Sequence, residues 1–176
     1  MGTYTDWTKH LDFIPDKHKK NILELGCGVG TEILCEQFKM VFSFETWMDD
    51  EWYRKTVDKI TSDNWSHFFR PLSHYGLHRR YERDNRQVLA FKKYTDTLMR
   101  WIDLSQINVV FVDQGFYMRG ESVNFFMRKN VPTIFAHDTN KRLAGSGYGW
   151  HLTKEKSFKY NTHTFREGCG VKFYFK

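Results

Sequence analysis

The stretch ILELGCGVGTE, residues 22–32, decides how the rest of the chain is read. Residues 21–25, NILEL, have the apolar character of a buried strand, and TEILCEQFK at 31–39 carries Ile33, Leu34 and Phe38 at helical spacing. Between them lie Gly26, Gly28 and Gly30 at alternate positions. Glycine permits positive φ in a tight turn and lets another group touch the main chain with no Cβ in the way, while the start of the helix offers free N–H groups. A carboxylate or phosphate suits such a place. A purely structural turn has use for one or two glycines and little need for a third.

Outward from this turn the chain alternates. MVFSFE at 40–45 reads as a second strand, and TWMDDEWYRKTVDKI at 46–60 as a helix, with Thr46 and Asp49 placed as a capping box and acids crowding the first turn. A third strand falls near 66–70. Residues 74–86 then form a basic insertion holding Arg79, Arg80, Arg83 and Arg86, ahead of a helix patterned through Val88, Phe91, Leu98 and Trp101. INVVFVDQG at 107–115 is an unbroken apolar run of the kind buried on both faces of a parallel sheet. A helix at about 120–129 turns Val123, Phe126 and Met127 inward, and VPTIFAHD at 131–138 is the next strand. FKYNTHTF and GVKFYFK, separated by REGCG, close the chain as an antiparallel hairpin. Strands alternating with helices imply a parallel sheet with right-handed crossovers and ligands at the carboxyl ends of its strands.

Composition sets the bounds. With 176 residues, 40% hydrophobic and 18% aromatic, the chain has enough apolar surface for one domain with a sizeable core, and residues 1–19 read as a docking segment on it. It has neither a membrane-length apolar run nor a secretory leader pattern, so a cytoplasmic protein is expected. Cys27, Cys35 and Cys169 form no CxxC pair and read as reduced thiols. The net charge of +6 favours an anionic partner, nucleic acid being open but not favoured. Oligomeric state is not legible.

Chemistry is sought just after each strand. Glu45 ends the second strand, where an acid accepts hydrogen bonds from ribose hydroxyls in nucleoside-binding folds. Asp113 ends the fourth strand, and His137 with Asp138 the fifth. Two roles are open to His137: a general base, since an imidazole titrates near neutrality, or a buried, satisfied side chain. The arginines of the insertion suit bidentate capture of phosphate or carboxylate, or a solvated basic face. The loop GSGYGW at 145–150 has glycines for hinges and Tyr148 and Trp150 for apolar cover, as a lid would.

Glu24-x-Gly26-x-Gly28-x-Gly30 behind an apolar strand resembles motif I of the class I S-adenosylmethionine-dependent methyltransferases, and Glu45 matches their ribose-binding acid. The spacing differs from the GxGxxG of NAD-binding Rossmann proteins. The resemblance covers about residues 20–176 and implies an α/β, Rossmann-like three-layer sandwich: a mostly parallel seven-stranded sheet with a C-terminal antiparallel hairpin. It implies S-adenosylmethionine as cofactor, with Glu24, Gly26, Cys27, Gly28, Gly30, Glu45, Thr46, Trp47, Ser73 and Asp113 around it; Trp47 and Ser73 are the candidates for the adenine. FVDQG at 111–115 and FAHDT at 135–139 are similar to the FIDG and HD(T/Y) segments of small-molecule O-methyltransferases. In several relatives these acids bind a divalent cation, which implies Asp113 and Asp138 as ligands of Mg²⁺ and Asp113, His137 and Asp138 as the catalytic group.

The chain departs from that pattern in two places. Catechol-type enzymes carry a lysine base shortly after the first acid, where this chain has Gln114, Gly115, Phe116 and Tyr117, and Thr139 follows Asp138 in place of a further acid or amide. The reading reached is methyl transfer to the hydroxyl of a small or conjugated acceptor, with or without a metal. The alternative is an inactive Rossmann-like protein that binds nucleic acid or another anionic partner. The Asn/Asp-Pro-Pro-Tyr tetrapeptide and Pro-Cys pair of nucleic-acid methyltransferases are absent from the sequence.

Overall fold

The structure, a computed structural model, describes residues 6–46, 50–76, 85–114, 118–140 and 148–176. Strands β1 (Asn21–Leu25), β2 (Met40–Glu45), β3 (Trp65–Phe69), β4 (Val109–Val112), β5 (Thr133–His137), β6 (Asn161–Phe165) and β7 (Val171–Phe175) form one sheet in the order β3-β2-β1-β4-β5-β7-β6. The first five run parallel, and β7 is antiparallel to both β5 and β6. Helices α1 (Thr31–Gln37), α2 (Asp50–Val57), α3 (Asn85–Trp101) and α4 (Arg119–Arg128) make the crossovers. The chain leaves β1 toward one edge and returns through β4 on its other side, so the order reverses between β1 and β4. That crevice, at the carboxyl ends of the strands, is where open α/β sheets take their ligands.

Period-two alternation divides the sheet into two buried faces. Leu23, Leu25, Val110 and Val112 meet Tyr94 and Leu98 of α3 and Val123, Phe126 and Met127 of α4. Ile22, Val109, Phe111 and Phe135 meet Leu34 and Cys35 of α1 on the other side. β4 and β5 are buried along their whole length, as strands covered on both faces must be. The inward stripe of α3 begins at Ala90 and Phe91, whereas Val88, expected on it, is 67% exposed.

The layer on the α1 face is completed by a 3-10 helix, Asp6–Phe13. Its Trp7 is 2% exposed and lies 4.5 Å from the Phe111 ring and 6.1 Å from Phe135. The segment is thus part of the core as well as a cover. Of the basic insertion, residues 77–84 lie outside the described residues, and the capping partner Asp49 does too.

Candidate active site

The three glycines of the β1–α1 turn meet different surroundings. Gly26 has φ +95, its N–H donates to the Phe44 carbonyl at 3.0 Å, and a Cβ there would fall 3.0 Å from the Asp113 carbonyl oxygen. It is bare so that β1 can pass β4. At Gly30 a Cβ would fall 2.3 Å from Cζ2 of Trp7, so the indole leaves no room for a side chain there. Gly28 alone of the three has nothing within 4 Å of where its Cβ would stand. The open main chain on offer to a ligand is therefore at Gly28.

Glu24 supports this turn from inside. Its buried carboxyl group accepts hydrogen bonds on Oε2 from Ser43 Oγ at 2.6 Å and Thr31 Oγ1 at 3.0 Å. Behind these hydroxyls, Trp65 Nε1 donates to Ser43 Oγ and the Gly28 N–H donates to Thr31 Oγ1. Glu24 thus holds the loop through Thr31. Glu45, 2% exposed, accepts the Cys27 N–H at 2.8 Å and the Thr46 N–H at 2.6 Å, one on each oxygen. The β2-end acid is therefore tied to the glycine loop and oriented by it. Cys27 is buried with its thiol pushed upward, first by burial and then by Glu45. Ser73 is exposed on the short turn Leu72–Tyr75 after β3, Thr46 is buried, and Trp47 lies outside the described residues.

At the ends of β4 and β5 the structure brings Asp113, His137 and Asp138 together and adds two residues that the sequence did not disclose, Arg119 and Asp6. Arg119 Nη1 lies 3.0 Å from Asp113 Oδ1 and 2.8 Å from Asp138 Oδ2. Its remaining bonds run from Nε to the Gln114 carbonyl (2.8 Å), from Nη1 to the His137 carbonyl (3.1 Å) and from Nη2 to the Asp113 carbonyl (3.1 Å). His137 places Nδ1 3.1 Å from Asp113 Oδ1 and Nε2 2.8 Å from Asp6 Oδ1. Asp6 Oδ2 also accepts the Cys169 N–H at 3.1 Å. Asp138 sits at φ +56, a left-handed conformation uncommon for a residue with a side chain.

This geometry bears on two expectations. With each ring nitrogen facing a carboxylate, His137 donates on both sides when protonated, which favours the buried, satisfied side chain of the two roles the sequence left open. Mg²⁺ requires a shell of oxygen ligands, and here a guanidinium nitrogen already bridges the two carboxylates that would supply them. A divalent cation does not fit that arrangement.

Two buried acid–base groups give stability a shared pH dependence. Burial pushes Glu24 up to about 8, against the pull of the Ser43 and Thr31 hydroxyls. The folded protein then keeps a proton that the unfolded chain releases in the ordinary carboxylate range. This contribution is full below about pH 4.5 and is lost as pH rises toward 8. For His137, burial lowers the pKa, but Asp113, Asp138 and Asp6 together outweigh it and hold the imidazole above 6.5. Its contribution is present below 6.5 and is lost as pH rises through the folded value. Urea midpoints are expected to fall from about pH 5 to about pH 8, and Glu24→Gln to keep only the part of the slope above about pH 6.5. An unchanged slope in Glu24→Gln would reject the assignment.

The described end of the expected lid is pinned rather than hinged. The Arg119 Cζ lies 3.9 Å from the centre of the Tyr148 ring, Trp150 Nε1 donates to the Asp138 carbonyl at 2.8 Å, and the Gly149 carbonyl abuts Gly120 of α4. Residues 145–147 lie outside the described residues. Next to this cover is a cavity of about 590 Å³ whose lining includes Thr139, Trp150, Lys154, Lys156, Lys172 and Tyr174. Lys172 is paired with Glu155 at 2.6 Å, which leaves the lining an excess of positive charge from Lys154 and Lys156.

The chain matches no protein-family model and no curated protein sequence. Among solved structures, an O-methyltransferase from Bacillus cereus in complex with SAH aligns with 100% of this chain and 83% of its own, at TM-score 0.64 and 11% identity. The fold is that of the class I methyltransferases. A methyltransferase from Geobacter sulfurreducens aligns over 96% of this chain and 77% of its own (TM-score 0.53, 14% identity). The methyltransferase domain of bacterial CtHen1-C covers 96% and 93% (TM-score 0.52, 11% identity). In this methyltransferase fold the glycine loop, Glu45 and the Asp113–Asp138 cluster share one edge of the sheet, on both sides of the β1–β4 crevice.

Proposed function

We propose that the protein is an S-adenosylmethionine-dependent O-methyltransferase acting on a hydroxyl-bearing small or conjugated acceptor that carries an anionic group. The observation that carries this reading is the open main chain at Gly28, beside the buried acid Glu45 and at the strand-order reversal. It is supported by the fold shared with a solved O-methyltransferase in complex with SAH.

Bound S-adenosylmethionine supplies a methyl group on a sulfonium, already a good leaving group, so the chain's own part is alignment and exclusion of water. Gly28 and the turn around it receive the amino-acid end, and Glu45 accepts from the ribose hydroxyls. On the acceptor side, Asp113 and Asp138 keep side-chain exposures of 27% and 19%, against 7% for His137. In this reading the two aspartates take the hydrogen bond and then the proton of the acceptor hydroxyl, and His137 positions Asp113. The lysine-lined cavity that begins at Thr139 suits an acidic group on the acceptor.

The test is calorimetric titration of the full chain with S-adenosylhomocysteine, followed by transfer of a labelled methyl group to hydroxyl compounds with and without a carboxylate or phosphate. Saturable binding and preferential labelling of the acidic compounds are expected. Absence of S-adenosylhomocysteine binding would remove the enzyme reading and leave a binding protein.

A further inference from the structure

We propose that Arg119 is a built-in cation occupying the place where two strand-end acids would otherwise hold a divalent metal, and that its removal uncovers a Mn²⁺ site made by Asp113, His137 and Asp138. The inference stands on these side chains alone, whatever binds at Gly28. Arg119 is 3% exposed and lies in the first turn of α4. A positive charge there faces the positive end of the helix dipole and has lost its water, so it needs strong compensation. Asp113 and Asp138 provide it, at 3.0 and 2.8 Å from one nitrogen. Three main-chain carbonyls and the face of Tyr148 take up the rest of the guanidinium.

Without the guanidinium, the remaining groups form a ligand set. One ligand atom from each of Asp113, His137 and Asp138 lies within 4.8 Å of the others. Two carboxylates and an imidazole are donors that Mn²⁺ accepts, the imidazole once the metal displaces the proton from the nitrogen it now turns to Asp113. Unlike a purely structural clamp, a cation substitute is exchangeable for a metal. That difference is measurable without any enzyme assay.

The experiment is titration of the full chain with Mn²⁺, free ion being read by electron paramagnetic resonance near pH 7.5. Wild type is expected to show no saturable binding at the cluster. Arg119→Ala is expected to bind Mn²⁺ at least about a hundredfold more tightly, since a unit charge a few ångströms away has been removed. Adding Asp138→Asn to Arg119→Ala is expected to abolish the gain. Should Arg119→Ala fold poorly, Mn²⁺ is expected to raise its melting temperature and that of Arg119→Met while leaving wild type unmoved. The proposal is overturned if wild type binds Mn²⁺ in a manner abolished by Asp113→Asn, or if Mn²⁺ affects neither Arg119 variant.

Discussion

Gly28→Asp is expected to abolish binding of S-adenosylhomocysteine while leaving the fold intact. The position has nothing within 4 Å of a new Cβ, so the empty protein accommodates the side chain. Its melting temperature should stay within about 1–2 °C of wild type, as for an unencumbered surface change. In the complex the same side chain fills the space meant for the ligand and sets an unpaired carboxylate against it. Such a cost is about 3 kcal/mol or more, or roughly a hundredfold in Kd. Gly28→Ala should fall between the two. Calorimetry and a melting curve on each variant suffice, and undiminished binding in Gly28→Asp would place the ligand elsewhere.

Two places along the loop, the opposite result is expected. Gly30→Ala drives a methyl group to 2.3 Å from the Trp7 ring, inside a cluster that also holds Phe111 and Phe135. Overpacking of this kind costs about 1–3 kcal/mol. Trp7→Ala, at an indole 2% exposed, should cost about 3–5 kcal/mol, a large share of the roughly 5–15 kcal/mol that holds a domain folded. The double variant is the sharper measurement. Once the indole is gone the methyl group added by Gly30→Ala has room, so the two losses should combine to less than their sum. Strict additivity in urea unfolding would show that the residues do not press on each other.

The strand and helix order was legible because both kinds of signal are local. Leu23 and Leu25 alternate with Glu24, and Val123, Phe126 and Met127 repeat at helical spacing, whatever lies far along the chain. The reason for each glycine was not legible. Gly26 answers to Asp113 and Gly30 to Trp7, partners that only the folded sheet brings near. Arg119 left a faint signal, a basic residue in the first turn of a helix where acids are favoured, yet nothing local says that two carboxylates lie within reach. Asp6 left none, since its partners His137 and Cys169 are 131 and 163 residues away. The bridge across Asp113 and Asp138 was hidden for the same reason: the two acids were visible in the sequence and their counter-ion was not.

The docking of the Asp6–Phe13 segment also bears on the order of folding. Trp7 needs β4 and β5 before it has a floor, and Asp6 needs the end of β5 and the turn between β6 and β7. Contacts so distant along the chain repay their closure entropy only after the intervening strands have paired. A segment synthesised early must therefore wait for partners made more than a hundred residues later. His137 acquires the Asp6 carboxylate only when the Asp6–Phe13 segment has docked beside β5, so a chain halted short of β5 would carry the glycine loop yet leave the acid cluster beside it unfinished.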